Sequence, residues 1–126
     1  MTREEILVLP AGAEMDALVA ERVMGWLRIG PDEPYRFHKE MGGIIGPDGR
    51  PARFAAGEIP FDWFPSTRIA DAWDVVEKLA GGLEEGDRFE VIRLGETVWR
   101  AGFTIFVTAD TAQLAICRAA LLVEGS

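Results

Sequence analysis

The chain is poor in the residues on which much small-protein chemistry is built: its 126 residues hold one cysteine, one histidine and one tyrosine. Cys117 has no partner for an internal disulfide, and with His38 as the only imidazole a Cys/His zinc site is excluded. Neither a metal nor another cofactor is expected. Long apolar runs are missing as well; the hydrophobic stretches are short and broken by charge, so none is expected to cross a membrane. The N-terminal Met1-Thr2-Arg3-Glu4-Glu5 has neither a basic flank nor an apolar signal core, and a cytoplasmic location is expected. Positive charge is scarce: 13 Lys and Arg against 21 Asp and Glu leave a net charge of −8, which argues against wrapping a long nucleic acid.

What is present is ordinary globular material. Hydrophobic residues make up 48% of the chain, and four Trp with seven Phe supply large apolar pieces. The length fits a single domain over residues 1–126. Charge is unevenly spread. From Leu27 to Ala56 the basic residues Arg28, Arg36, Lys39, Arg50 and Arg53 outnumber the acids Asp32, Glu33, Glu40 and Asp48 by one, so a small anion is better accommodated there than elsewhere.

Thr2 with Glu5 reads as a capping box opening a short helical turn that Pro10 and Gly12 close. Met15, Leu18, Val19 and Val23 trace a helical stripe over about 13–24, with Asp16 off it and Gly25 at its end. Residues 27–65 show no sustained period and read as an irregular insertion or loop, with a turn at Pro47-Asp48-Gly49 and short strands near Ile44-Ile45 and Ala52-Phe54. Ser66 or Thr67 is placed as the N-cap of a second helix whose stripe is Ile69, Ala72, Trp73, Val76 and Leu79, ending at Gly81-Gly82. Residues 88–94 alternate as a strand, Gly95-Glu96 turns the chain, and 97–108 continue as strand with Gly102 allowing a bend. Apolar residues on both faces predict a sheet covered on both sides. Asp110 is expected to cap a last helix over about 111–123 that buries Leu114, Cys117 and Ala120 or Leu121. Helices with hairpin-linked strands give an α+β class.

Met1 to Ile6, Pro10-Ala11-Gly12, Met15 to Glu21 and Val23 to Trp26 resemble the opening of the phage ABA-sandwich domain proteins. Pro65-Ser66-Thr67, Ile69-Ala70, Ala72-Trp73 and Val75 to Leu79 are similar to the second helix of that family, and Ala109 to Leu122 to its closing helix. The resemblance covers roughly half of the chain and departs over Leu27 to Phe64, where only Asp48-Gly49-Arg50 is shared. It implies a small α-β-α sandwich with an antiparallel sheet and about three main helices, encoded by phages or prophages and working in the cytoplasm of the infected bacterium. The family is largely without assigned activity, so function rests on this chain's own residues.

One constellation suggests a ligand. Phe61-Asp62-Trp63-Phe64 leads into Pro65-Ser66-Thr67-Arg68 at a helix start. There free N–H groups, hydroxyls and a guanidinium would meet a phosphate while Trp63 or Phe64 stacks on a base. The same residues equally suit an N-cap behind an aromatic-anchored loop. Arg36 and His38 in the basic stretch complete the candidate ligand-binding set with Trp63, Phe64, Ser66, Thr67 and Arg68. As an acid or base His38 would need Glu40 or Asp32 to orient it, and no second catalytic group stands at a telling spacing, so no catalytic residue is assigned. Trp26, Trp73 and Trp99 sit at apolar positions and read as core or interface.

Three functions stay open. The first is a non-catalytic phage accessory protein that sequesters a small nucleotide-derived immune signal to counter host defence. The second is a protein-interaction or structural role through 27–64. The third is a phosphodiesterase-like enzyme using His38. Phe61, Trp63 and Phe64, close together with little regular structure around them, further predict a homo-oligomer.

Overall fold

Thr2 opens the first helix as its spacing predicts: its Oγ1 accepts from the Glu5 N–H at 3.2 Å, and its hydroxyl lies 3.3 Å from the Glu5 carboxylate. A computed structural model of the protein describes residues 2–32, 42–54, 61–82, 88–102 and 106–124. Helix α1 (Arg3–Val8) docks through the buried Ile6, and α2 (Ala13–Arg22) buries Met15, Ala17, Val19, Ala20 and, against its polarity, Asp16. Gly25, at φ 75°, turns the chain back so that the Trp26 N–H reaches the Ala20 carbonyl at 3.0 Å. Only glycine takes that backbone region without strain.

The stretch expected to be irregular carries a four-stranded sheet, A. It comprises β1 (Leu27–Arg28), β2 (Gly43–Ile45), β3 (Pro51–Arg53) and β4 (Phe61–Asp62), in that spatial order. β1 and β2 run parallel, and the other neighbours are antiparallel. The β2–β3 hairpin turns at the anticipated Pro47-Asp48-Gly49, where Asp48 Oδ1 accepts the Arg50 N–H at 3.1 Å. β2 and β3 fall at the short strands expected near Ile44-Ile45 and Ala52-Phe54, whereas β4, two residues long, is too short to show a period of two. Sheet A packs on α2. Gly43 lies against the Trp26 ring so closely that a Cβ there would fall 2.4 Å from it.

Helix α3 (Ile69–Ala80) starts later than its sequence suggests: Arg68 stands at the N-cap, without a side-chain cap bond, in place of Ser66 or Thr67. Its buried face is Ala72, Val75, Val76 and Leu79 with Asp71, while Ile69 and Trp73 of the expected stripe are about half exposed at 50% and 51%. The strand expected over 97–108 is two antiparallel strands, with Gly102 paired to Phe106 across the reversal. Sheet B is therefore a meander of β5 (Glu90–Arg93), β6 (Trp99–Gly102) and β7 (Phe106–Ala109). In α4 (Ala112–Glu124) the cap is Thr111, whose Oγ1 accepts the Leu114 N–H at 3.2 Å, rather than Asp110.

Helix α4 is apolar almost all round, from Leu114 through Cys117 to Leu122, as a central helix must be. It packs on sheet B with one side and on α1, α2 and α3 with the rest. Val91, Ala101 and Val107, cross-strand neighbours in register, form the face of sheet B turned to the core. The opposite face carries Ile92, Arg100 and Thr108 in one row and Phe106 at its edge, with the Arg100 guanidinium 4.9 Å over the Phe106 ring. Among the described residues no helix lies on that face, so the expected cover on both sides is met on one. The α+β class is as the sequence predicts.

Candidate binding groove

The residues singled out in the sequence fall at the junction of sheet A, α2 and α3, and three aspartates hold them there. Phe64 N–H donates to Asp71 Oδ2 at 2.9 Å, Ser66 N–H donates to Asp16 Oδ1 at 2.8 Å, and the Trp63 indole N–H donates to Asp74 Oδ2 at 3.1 Å. Asp74 also pairs with Arg53 of β3. The Thr67 and Arg68 N–H groups both turn back to the Phe64 carbonyl, at 3.2 and 2.8 Å. Gly12 N–H donates to Ser66 Oγ at 3.0 Å, so the hydroxyl is engaged too.

This bonding engages most of the donors that the sequence placed at the helix start. The Phe64, Ser66, Thr67 and Arg68 N–H groups are taken within the chain, and Asp71 places a carboxylate in the first turn of α3. Trp63 is fully buried with its ring centroid 4.6 Å from that of Trp26, so no face is open to a base. Buried Ser66 is a tie between α2 and the turn. Phe64 is partly buried, and Thr67 and Arg68 are exposed, Arg68 lying 3.6 Å from Asp71 and 5.8 Å from the Phe64 ring centre. Arg36 and His38 lie outside the described residues.

Burial raises the pKa of Asp16 above its ordinary value; the Ser66 hydrogen bonds oppose that rise and the charge of Asp71 adds to it. Burial, with the Asp16 charge behind it, pushes the Cys117 thiol well above the usual thiol range. Cys117 is thus a core residue and not a nucleophile, as its alanine neighbours predict. Among the described residues no group of three or more His, Cys, Asp or Glu could hold a metal ion.

Ser66 and Thr67 border an open cavity of about 500 Å³ with Pro10, Thr111 and Arg118, and a more apolar concave surface lies beside it. Ile69, Trp73 and Val76 of α3, Phe89, Val91 and Trp99 of sheet B, and Ala112, Gln113 and Ile116 of α4 line a groove of about 540 Å³. Val91 and Trp99 reach it because they share the core-facing side of β5 and β6, and Phe89 stands just before β5. Arg93 pairs with Trp99 across the strands and therefore stands on the same side of the sheet. Apart from the two indoles, Gln113 is the lining's hydrogen-bonding side chain, its Nε2 donating to the Thr67 carbonyl at 3.3 Å.

Sequence reasoning assigned Trp73 and Trp99 to core or interface and did not bring them together. A signal was present: Ile69, Ala72, Trp73, Val75, Val76 and Leu79 span an apolar arc wider than one buried stripe needs, so part of it had to face something other than the core. What Ile69 and Trp73 face depends on how sheet B docks, which no helical period reports.

Among the described residues no helix is long and apolar enough to cross a membrane. No curated protein and no solved structure matches the chain. The model of the phage ABA sandwich domain family matches residues 17–121. That match begins at residue 17, within the N-terminal stretch quoted above, and continues through 27–64, of which the residue-level resemblance held only Asp48-Gly49-Arg50. Spanning most of the chain, it establishes that this protein belongs to the phage ABA sandwich domain family.

Proposed function

We propose that the protein is a non-catalytic binding domain that holds a small, flat, anionic molecule of the nucleotide class in the groove between α3, sheet B and α4. The observation that carries the reading is the pair Trp73 and Trp99 lining one open groove, Trp73 with half of its surface exposed. An indole left half in water offers a face for a second aromatic ring, and base–aromatic stacking contributes about 1–3 kcal/mol per base. Arg93, across the strands from Trp99 and bonded to the Gly95 carbonyl, and Arg68, immediately before Ile69 and 3.6 Å from Asp71, are basic residues next to lining residues in a chain that is acidic as a whole. The lining contains no titratable side chain, which favours holding a ligand over transforming it. In a phage protein, sequestration of a host nucleotide signal in the bacterial cytoplasm is the role that fits such a domain.

The same groove suits a second reading, a protein partner. Ile69 and Trp73 stand at i and i+4 on one exposed helix face, the spacing by which a helix presents two apolar anchors. One experiment separates the two. Cyclic and linear nucleotides are titrated against the protein while tryptophan fluorescence and the melting temperature are followed, and the ligand is recovered after denaturation. A bound nucleotide at about a hundredfold excess over Kd adds about 2.7 kcal/mol, or a rise in Tm of roughly 10 °C. Intact recovered ligand and loss of the shift in Trp73→Ala support sequestration. A cleaved ligand overturns the non-catalytic reading, and no shift with any nucleotide hands the groove to a protein partner.

A further inference from the structure

Gln113 stands at the start of α4 and lines two cavities at once. One is the groove described above; the other, of about 500 Å³, lies among Pro10, Thr67, Asp110, Thr111 and Arg118. Thr67 borders only the second cavity. A carbonyl oxygen only accepts, so the atom of Gln113 that lies 3.3 Å from the Thr67 carbonyl is its amide nitrogen. That bond fixes which way round the amide sits. Its nitrogen is engaged on the Thr67 side, and its oxygen makes no hydrogen bond among the described residues.

Resting on the proposed function, we infer that Gln113 is the specificity-determining residue of the groove, its Oε1 accepting from an N–H donor on the ring held by the tryptophans. The remaining lining offers apolar surface and two indole N–H donors, so Gln113 brings the only side-chain acceptor among the described lining residues. A ring that carries an amino group satisfies that acceptor. A ring with acceptors alone turns a lone pair toward a lone pair and leaves Oε1 without a partner as the groove fills. The tether matters because a free glutamine rotates its amide and accepts either edge. The groove therefore selects aminated bases, with adenine the simplest, over unsubstituted purine.

The experiment compares adenosine monophosphate with purine ribonucleotide, which differs only in lacking the 6-amino group. Both are titrated against wild type, Gln113→Met and Trp73→Ala by fluorescence quenching, with the melting temperature of each variant as a check on folding. The expected result is a preference of roughly three- to tenfold for the aminated nucleotide in wild type, the effect of one neutral hydrogen bond. Gln113→Met should bring the preference to about one while still binding purine ribonucleotide as wild type does. An undiminished preference in Gln113→Met overturns the role of Gln113 and leaves the groove standing. Binding of both nucleotides that survives Trp73→Ala overturns the groove itself, and with it this inference. Gln113→Glu gives a second arm: it keeps the acceptor but cannot donate to Thr67, and a preference retained in full there would show that the tether is not what orients the group.

Discussion

Asp16 ties α2 to the turn before α3, and replacing it separates the two things it does. In wild type its Oδ1 accepts the Ser66 N–H at 2.8 Å in a site where Asp16 and Ser66 are each 1% exposed. Asp16→Ala strands that donor away from water, which costs about 1–3 kcal/mol. Burial raises the Asp16 pKa in the folded chain, so the native state holds the proton more tightly than the unfolded state does. Its contribution to stability is therefore largest below the ordinary carboxylate range. It declines as pH rises from the ordinary value through the raised one, and is flat above. Asp71, whose charge raises the Asp16 pKa, and Cys117, whose pKa the Asp16 charge raises, share the site. At neutral pH the Ala variant escapes the cost of burying a charge, so its loss sits toward the lower end and grows on acidification. Asp16→Asn keeps an acceptor for Ser66 without a charge. It should be close to wild type in stability, or above it, near pH 7, and lose ground to wild type as pH falls through the carboxylate range. Urea denaturation followed by tryptophan fluorescence, from about pH 3.5 to about pH 7.5, measures all three. An Asn variant as unstable as the Ala variant at every pH would refute the reasoning, because the acceptor would then not be what the fold uses. So would a difference between Asn and wild type that does not change with pH.

Gly43→Ala places a Cβ about 2.4 Å from the buried Trp26 ring, and the overpacking should cost about 1–3 kcal/mol in a thermal melt. Trp63→Phe removes the indole N–H that Asp74 accepts, and a loss of about 1–2 kcal/mol is expected, with Asp74 still paired to Arg53. Trp73→Ala should cost about 1–3 kcal/mol, since about half of the side chain is still packed, so binding by that variant is measured well below its own melting temperature. Cys117 is fully buried and its thiol is held protonated, so reaction with a disulfide reagent should be slow in native buffer and fast in denaturant. Rapid native labelling would contradict the core position.

The helices were legible because their information is local. The Thr2 and Glu5 pair, the apolar spacing of α3 and the alanine-rich run of α4 each state a helix within a dozen residues, and the Pro47-Asp48-Gly49 turn needs only itself. The alternation over β5 and β6 also put Val91 and Ala101 on the right face. Of sheet A only the β2–β3 hairpin was legible, because the other pairings join residues far apart along the chain, Leu27 with Ile44 and Arg53 with Phe61. The candidate site shows the same division. Composition placed aromatics and a guanidinium beside a helix start, but whether N–H groups are free there depends on Asp16, Asp71 and Asp74 arriving from two helices. Asp16 itself was read as lying off the buried stripe, since a carboxylate on a helix is solvated unless another element brings it a donor.

The sequence by itself determined the α+β class, the position of its helices and the family, all of which follow from residue order over short windows or along one aligned stretch. The tertiary structure decided which aromatic residues are closed and which are open. Trp63 sits against Trp26 in the core while Trp73 and Trp99 line a groove, although Trp26, Trp73 and Trp99 occupy apolar positions of similar local character and Trp63 lies in an aperiodic stretch. Burial is a property of what packs on a side chain, and for these tryptophans the packing comes from elements brought together by the fold.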